Sequence, residues 1–150
     1  TYQNERAPMN STVTKFGYPN TLIHEYQHWV VLLRPMQVTL GSLILAAKSE
    51  AQNFHELPAE AFVELKSVIS DIEQTLARAT GYTRLNYLML MMVDPHVHYH
   101  VIPRYDGERQ FEGLPFQDLS WPGPPDLSRV TQTTADQHNA LVKHLAAQWP

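Results

Sequence analysis

The chain contains no cysteine, which excludes a disulfide framework, thiolate-ligated zinc and a thiol nucleophile, and fits a cytoplasmic setting. Positive charge is also scarce: 11 Lys and Arg stand against 15 Asp and Glu, a formal net charge of −4 with no basic run. That balance argues against a nucleic-acid partner held by backbone attraction, while leaving room for a local basic pocket around one phosphate. Long apolar runs are missing too. The longest, residues 87–93, is of strand length rather than membrane length, and Thr1-Tyr-Gln-Asn-Glu-Arg has no apolar signal core. The expectation is a soluble cytoplasmic protein with a small-molecule partner and no membrane contact. What is present is 150 residues with 43% hydrophobic content, enough for one ordinary globular domain with a real core.

The apolar pattern changes period along the chain. Residues 1–20 are polar and carry Pro8, Gly17 and Pro19, so they read as an N-terminal extension with little regular structure. Residues 21–25, 29–33 and 41–47 are short apolar runs separated by turn-length breaks, the pattern of successive antiparallel strands. Then Phe62, Leu65, Ile69, Ile72 and Leu76 recur at three and four residues, predicting a helix over residues 58–79 with Pro58 in its first turn and Gly81 as a left-handed cap. Residues 84–93 and 96–103 read as two further strands joined tightly through Asp94-Pro95. Residues 21–105 would form the core domain. Residues 106–150 follow as a Pro-rich, irregular, aromatic-anchored tail and a helix over 135–148, packed on the same domain, with Thr133 or Thr134 as cap.

The chemistry concentrates in His96-Val97-His98-Tyr99-His100-Val101-Ile102. Alternate residues of an extended strand share a face, so three imidazoles would project to one side and the intervening apolar side chains to the other. Three uses compete. Imidazole is the commonest metal ligand, but the large barrels that use a His-x-His strand need far more chain, and a small cupin-like site would want a Glu where Arg104 and Tyr105 stand. Buried structural histidines are the bland reading, weakened by three falling in register. The third use is nucleophilic attack by an imidazole nitrogen on a phosphate ester or anhydride, with flanking rings stabilising the charge of the transition state.

The motif resembles the His-φ-His-φ-His-φ-φ signature of the histidine triad (HIT) superfamily. Beyond it, Leu85-Asn86-Tyr87 leading to Pro95-His96, Gly41-Ser42-Leu43-Ile44-Leu45, His55-Glu56-Leu57-Pro58 and Asp118-Leu119-Ser120-Trp121-Pro122-Gly123-Pro124 are similar to segments of bacterial members. The resemblance covers residues 21–125. It implies a HIT-like α+β fold: a five-stranded antiparallel sheet, one long helix packed on it and a C-terminal helix, often doubled into a homodimer. It also implies a nucleotide substrate, needing neither metal nor cofactor, cleaved at the α-phosphate through a nucleotidyl-histidine intermediate. Nucleoside phosphoramidates, adenylylated compounds and dinucleoside polyphosphates are the substrate classes. By position, His98 would be the nucleophile, and His96 and His100 would hold phosphate oxygens or move protons.

Two residues depart from the family pattern. Ser42 stands where many members have a fourth histidine, and Met92 where related bacterial sequences carry asparagine, so phosphate holding would be thinner. Arg34 falls near the place of a ribose-binding Asn or Asp; it cannot accept from hydroxyls but could bind phosphate. Asn86 and Trp121 are further substrate-binding candidates, with a strand-end role and tail anchoring as their respective alternatives. Asp94 reads as a turn residue or an orienter of a histidine, Arg104 as a phosphate contact or a solvated or interface charge, and Met89, Met91 and Met92 as core. The alternative to an enzyme is a nucleotide-binding or adaptor protein that keeps the triad with little turnover.

Overall fold

Five strands hydrogen-bond into one antiparallel sheet in the order β1-β2-β3-β5-β4, formed by β1 (Leu22–Glu25), β2 (Trp29–Leu33), β3 (Leu43–Ala47), β4 (Arg84–Leu88) and β5 (His98–Arg104). The computed structural model describes residues 8–150. The long helix α2 (Ala59–Thr80) connects β3 to β4, and α3 (Ala135–Gln148) closes the described chain. This is the α+β architecture that the resemblance implies, and its strands and long helix fall on the apolar runs read from the sequence.

Each sheet face has its own cover. On one face Val31, Leu33, Leu43, Leu45, Val97 and Val101 pack with Val68, Ile72 and Leu76 of α2 and with Leu141 and Leu145 of α3. The α2 stripe is rotated from the predicted one: Ala61, Val68 and Thr75 are buried with Ile72 and Leu76, whereas Phe62 is 40% exposed. A broad apolar face leaves several rotations open, and the sheet selects one. Gly81 ends α2 in the left-handed conformation at φ 61°, as its position predicted. Gly41, at φ 83°, lets the start of β3 approach α2, because a Cβ there would lie 3.1 Å from Leu76.

The opposite face is covered by a helix that the sequence reading missed. Residues 8–20 are not an irregular extension: α1 (Ser11–Lys15) is capped by the Asn10 side chain, which accepts from the Val13 N–H. Val13 enters a second cluster with Val30, Leu32, Ile44 and Ala46. Both faces of β2 and β3 are therefore covered, and every residue of the two strands is buried. Residues 1–7 of the expected extension lie outside the described residues.

Three connections differ from expectation. β4 stops at Leu88, so residues 89–97 form a longer connection than the tight Asp94-Pro95 hairpin predicted. Met92 is 83% exposed there, while Met89 and Met91 rest partly buried against the core. The Pro-rich tail is less irregular than its composition suggests, since β6 (Arg109–Phe111) and β7 (Leu114–Phe116) pair in a small hairpin. α3 is capped by Thr134, whose side chain and that of Gln137 form a reciprocal capping box.

Candidate active site

The sheet register places the histidines on the α1 side. His98 pairs with Ala46 and His100 with Ile44, and directly paired residues share a face. Val97 and Val101 go to the other core, so the alternation holds across the row. His96 lies just before β5. All three rings are shielded, with His98 fully buried and His96 and His100 each 6% exposed.

The hydrogen bonds assign each ring a different task. His98 Nδ1 lies 2.7 Å from the His96 carbonyl oxygen; a carbonyl can only accept, so Nδ1 carries the proton and Nε2 holds a lone pair. That Nε2 is buried without a hydrogen-bond partner. A buried ring nitrogen left unsatisfied is uncommon enough to mark a reacting group or a ligand position. At His100 the order is reversed: Arg34 Nε donates to Nδ1 over 3.2 Å, so the proton of the neutral ring sits on Nε2. Burial, then the nearby Arg34 guanidinium, and then His98 push His100 down to about 4, which keeps it uncharged at neutral pH. The His98 and His100 rings meet edge-on at 5.2 Å.

His96 is held by α1. Thr12 Oγ1 accepts from the His96 backbone N–H over 3.3 Å and lies 2.8 Å from His96 Nδ1. Donation of the hydroxyl proton to Nδ1 satisfies both atoms and leaves Nε2–H facing Glu50 Oε1 at 3.4 Å. Phe16, one residue past α1, places its ring 5.6 Å from His98 and 5.8 Å from His100. Lys15 pairs with Asp94, tying α1 to the loop that leads into the row. Thr12 and Phe16 were absent from the sequence reading; the readable signal was Asn10 three residues before Val13, with Phe16 three residues further on.

The remaining candidates are only partly gathered here. Arg34, just after β2, reaches His100 as described. Ser42 does not reach the histidines: it is fully buried, its hydroxyl donating to the Thr39 carbonyl and accepting from the Thr39 N–H. Asn86 and Trp121 come together instead in a groove of about 440 Å³ with Arg84, Arg104 and residues 122–124. That groove is adjacent to the row, because Leu88 pairs with His100 and Asn86 with Ile102 on the same face.

Arg104 is neither solvated nor a free phosphate contact. Its Nε and Nη2 donate to the two oxygens of Asp118, Nη1 donates to Asn86 Oδ1, and Nη2 also donates to Ser120 and the Gly123 carbonyl. The guanidinium lies 5.9 Å from the centre of the Trp121 ring. Its donors are committed to fastening the tail across the sheet. Among the described residues no three His, Asp or Glu side chains are arranged to hold a metal ion, and no helix is long and apolar enough to cross a membrane.

This arrangement belongs to a known fold class, that of the histidine triad proteins. A histidine triad protein from Bradyrhizobium japonicum superposes with a TM-score of 0.72 at 19% identity, covering 95% of this chain and 97% of that one. One from Sinorhizobium meliloti gives the same TM-score and identity over 94% of this chain and 96% of that one. Another, from Marinobacter aquaeolei, gives 0.69 at 23% identity over 85% and 87%. No family model and no curated protein matches the sequence. The chain thus has the histidine triad fold, with His98 and His100 of the signature on β5 and His96 just before it.

Proposed function

We propose that the protein is a nucleotide-binding hydrolase or transferase in which His98 Nε2 attacks the α-phosphorus of a nucleoside phosphoramidate, an adenylylated compound or a dinucleoside polyphosphate. The observation that carries this reading is the His98 tautomer: Nδ1–H is held by the His96 carbonyl, and the lone pair on Nε2 has no partner. In the first step the Nε2 pair forms a P–N bond while the bond from phosphorus to the leaving group breaks, its pair departing with that group. The positive charge gained by the His98 ring is stabilised by the carbonyl on Nδ1. The Nε2–H of His100 is available to donate to a phosphoryl oxygen. Water then attacks phosphorus, the P–N pair returns to His98, a proton is released and the nucleoside monophosphate leaves.

Asn86 and Trp121 support a substrate extending from the row into the adjoining groove. The fold's exposed apolar patch supports a homodimer: the Phe54 and Phe62 rings meet at a tilt, 5.5 Å apart, while 37% and 40% exposed, beside Val63 at 76%. A cytoplasmic setting remains part of this reading.

A second reading has its own observation. Phe16 covers the fully buried His98, which suits a nucleotide-binding protein or adaptor that turns over little. Brief incubation with adenosine 5′-phosphoramidate, an acid-free quench and intact-mass analysis separate the two. The hydrolase reading expects an adenylyl adduct lost in His98→Ala and release of the monophosphate. Neither adduct nor monophosphate, across several bases, overturns it.

A further inference from the structure

Arg34 is a partly buried cation with no anion of its own. Its Nε donates to His100 Nδ1 at 3.2 Å and its Nη1 to the Met36 carbonyl at 2.6 Å, and no described contact occupies Nη2. Of the other cations near this sheet face, Arg104 is neutralised by Asp118, Lys15 by Asp94 and Lys48 by Glu25, whereas Arg84 is exposed in the adjoining groove with its Nη1 donating to the Thr83 carbonyl. Among the described residues no carboxylate pairs with Arg34. Burial lowers the Arg34 pKa, the signature of a charge paying for lost water without a compensating partner. A guanidinium in that condition, fixed at one end by a histidine of the row, is preorganised to receive an anion.

The histidines do not supply this charge. His100 is held neutral with its Nδ1 filled by Arg34, and Ser42 is turned into its own loop. The phosphoryl group under attack sits at His98, the middle of the row. Arg34 stands at the His100 end, on the side away from His96 and Glu50. An anion on its open edge is therefore a different group from the phosphoryl that His98 attacks.

We propose that Arg34 is a specificity-determining residue that binds a second anionic group of the substrate, a phosphate beyond the one attacked, next to His100. This inference rests on the nucleotide reading of the site and names the charge pattern of its substrate. The second phosphate has two sources, the leaving group of a polyphosphate or a phosphate on the sugar. Both present the same oxygens to the guanidinium.

The test uses binding and turnover separately. With the His98→Asn protein, calorimetry compares adenosine 5′-monophosphate, adenosine 5′-diphosphate and adenosine 3′,5′-bisphosphate, each without and with Arg34→Gln or Arg34→Lys. A charge-assisted contact predicts that the second phosphate tightens binding about tenfold or more, that Arg34→Gln abolishes this gain and that Arg34→Lys retains part of it. A gain confined to the diphosphate assigns the leaving-group side, and one confined to the bisphosphate assigns the sugar. Equal affinities for one and two phosphates, or a gain that survives Arg34→Gln, overturn the proposal and leave the His98 adduct untouched. An Arg34-dependent gain in a protein whose native form makes no adduct overturns the hydrolase reading alone. Binding of none of the three ligands overturns both.

Discussion

The Arg104 guanidinium and the Asp118 carboxylate face each other through two hydrogen bonds of 2.7 and 3.2 Å, with 4% and 2% of their side chains exposed. The pair joins the end of the histidine strand to the Pro-rich tail and sets one wall of the groove beside the row. Removing one partner leaves a buried charge unpaired, so Asp118→Ala should cost about 3–5 kcal/mol in urea unfolding. Because the tail also places Trp121, its fluorescence should shift to the red in the folded variant. An Asp118→Ala protein of unchanged stability and emission would show that the tail is held by its apolar contacts instead.

His100 gives a stability profile with a defined sign. Its pKa is depressed in the folded state from 6.5 to about 4, so the unfolded chain binds the proton more readily. The stabilisation of the neutral folded form is present above pH 6.5 and is lost as pH falls toward 4. Between pH 7.5 and pH 5 this one group should account for about 2 kcal/mol of lost stability. His138, depressed chiefly by burial, acts in the same direction. Urea titrations across that range should therefore show a shallower loss in His100→Asn, and parallel profiles for the two proteins would rule His100 out as the source.

The elements with several periods of pattern were legible in the sequence: the alternation of β5, the apolar runs of β2 and β3, and the extent of α2, though not the face it buries. Residue types alone also pointed to the row of imidazoles. The five residues of α1 complete little more than one turn, too short for a helical period to show, and its stability comes from Val13 entering the sheet's second core. Pairing of Arg104 with Asp118 depends on how the tail folds back, which local pattern does not encode. Ser42 stood at the family's fourth histidine, yet its short hydroxyl finds the Thr39 backbone first, a local competition that Ser favours. The contact of Arg34 Nε with His100 Nδ1 joins residues 66 positions apart, which local pattern likewise does not encode.

Phe16 packs its ring 5.6 Å from that of His98. Phe16→Ala should leave the sheet intact and expose His98, raising its rate of carbethoxylation by about tenfold, since modification of a buried group tracks the population of the open form. Peptide mapping would locate the modified ring. If His98 reacts equally slowly in both proteins, its protection comes from groups other than Phe16.

Thr12 reaches across 84 residues of sequence to His96, and one hydroxyl serves two atoms of that residue. Thr12→Val keeps the shape of the side chain and removes both bonds, leaving a buried N–H and a ring nitrogen without partners. Unsatisfied buried groups of this kind cost about 1–3 kcal/mol, which a thermal melt would register. Thr12→Ser retains the hydroxyl and should recover most of that loss. The two variants also separate support from chemistry: if His96 is held in its tautomer by Thr12, turnover of a nucleotide substrate falls in Thr12→Val and returns in Thr12→Ser. A stability loss in Thr12→Val with unaltered kcat and KM would instead make Thr12 a clamp for α1, with no hold on how His96 meets the phosphate.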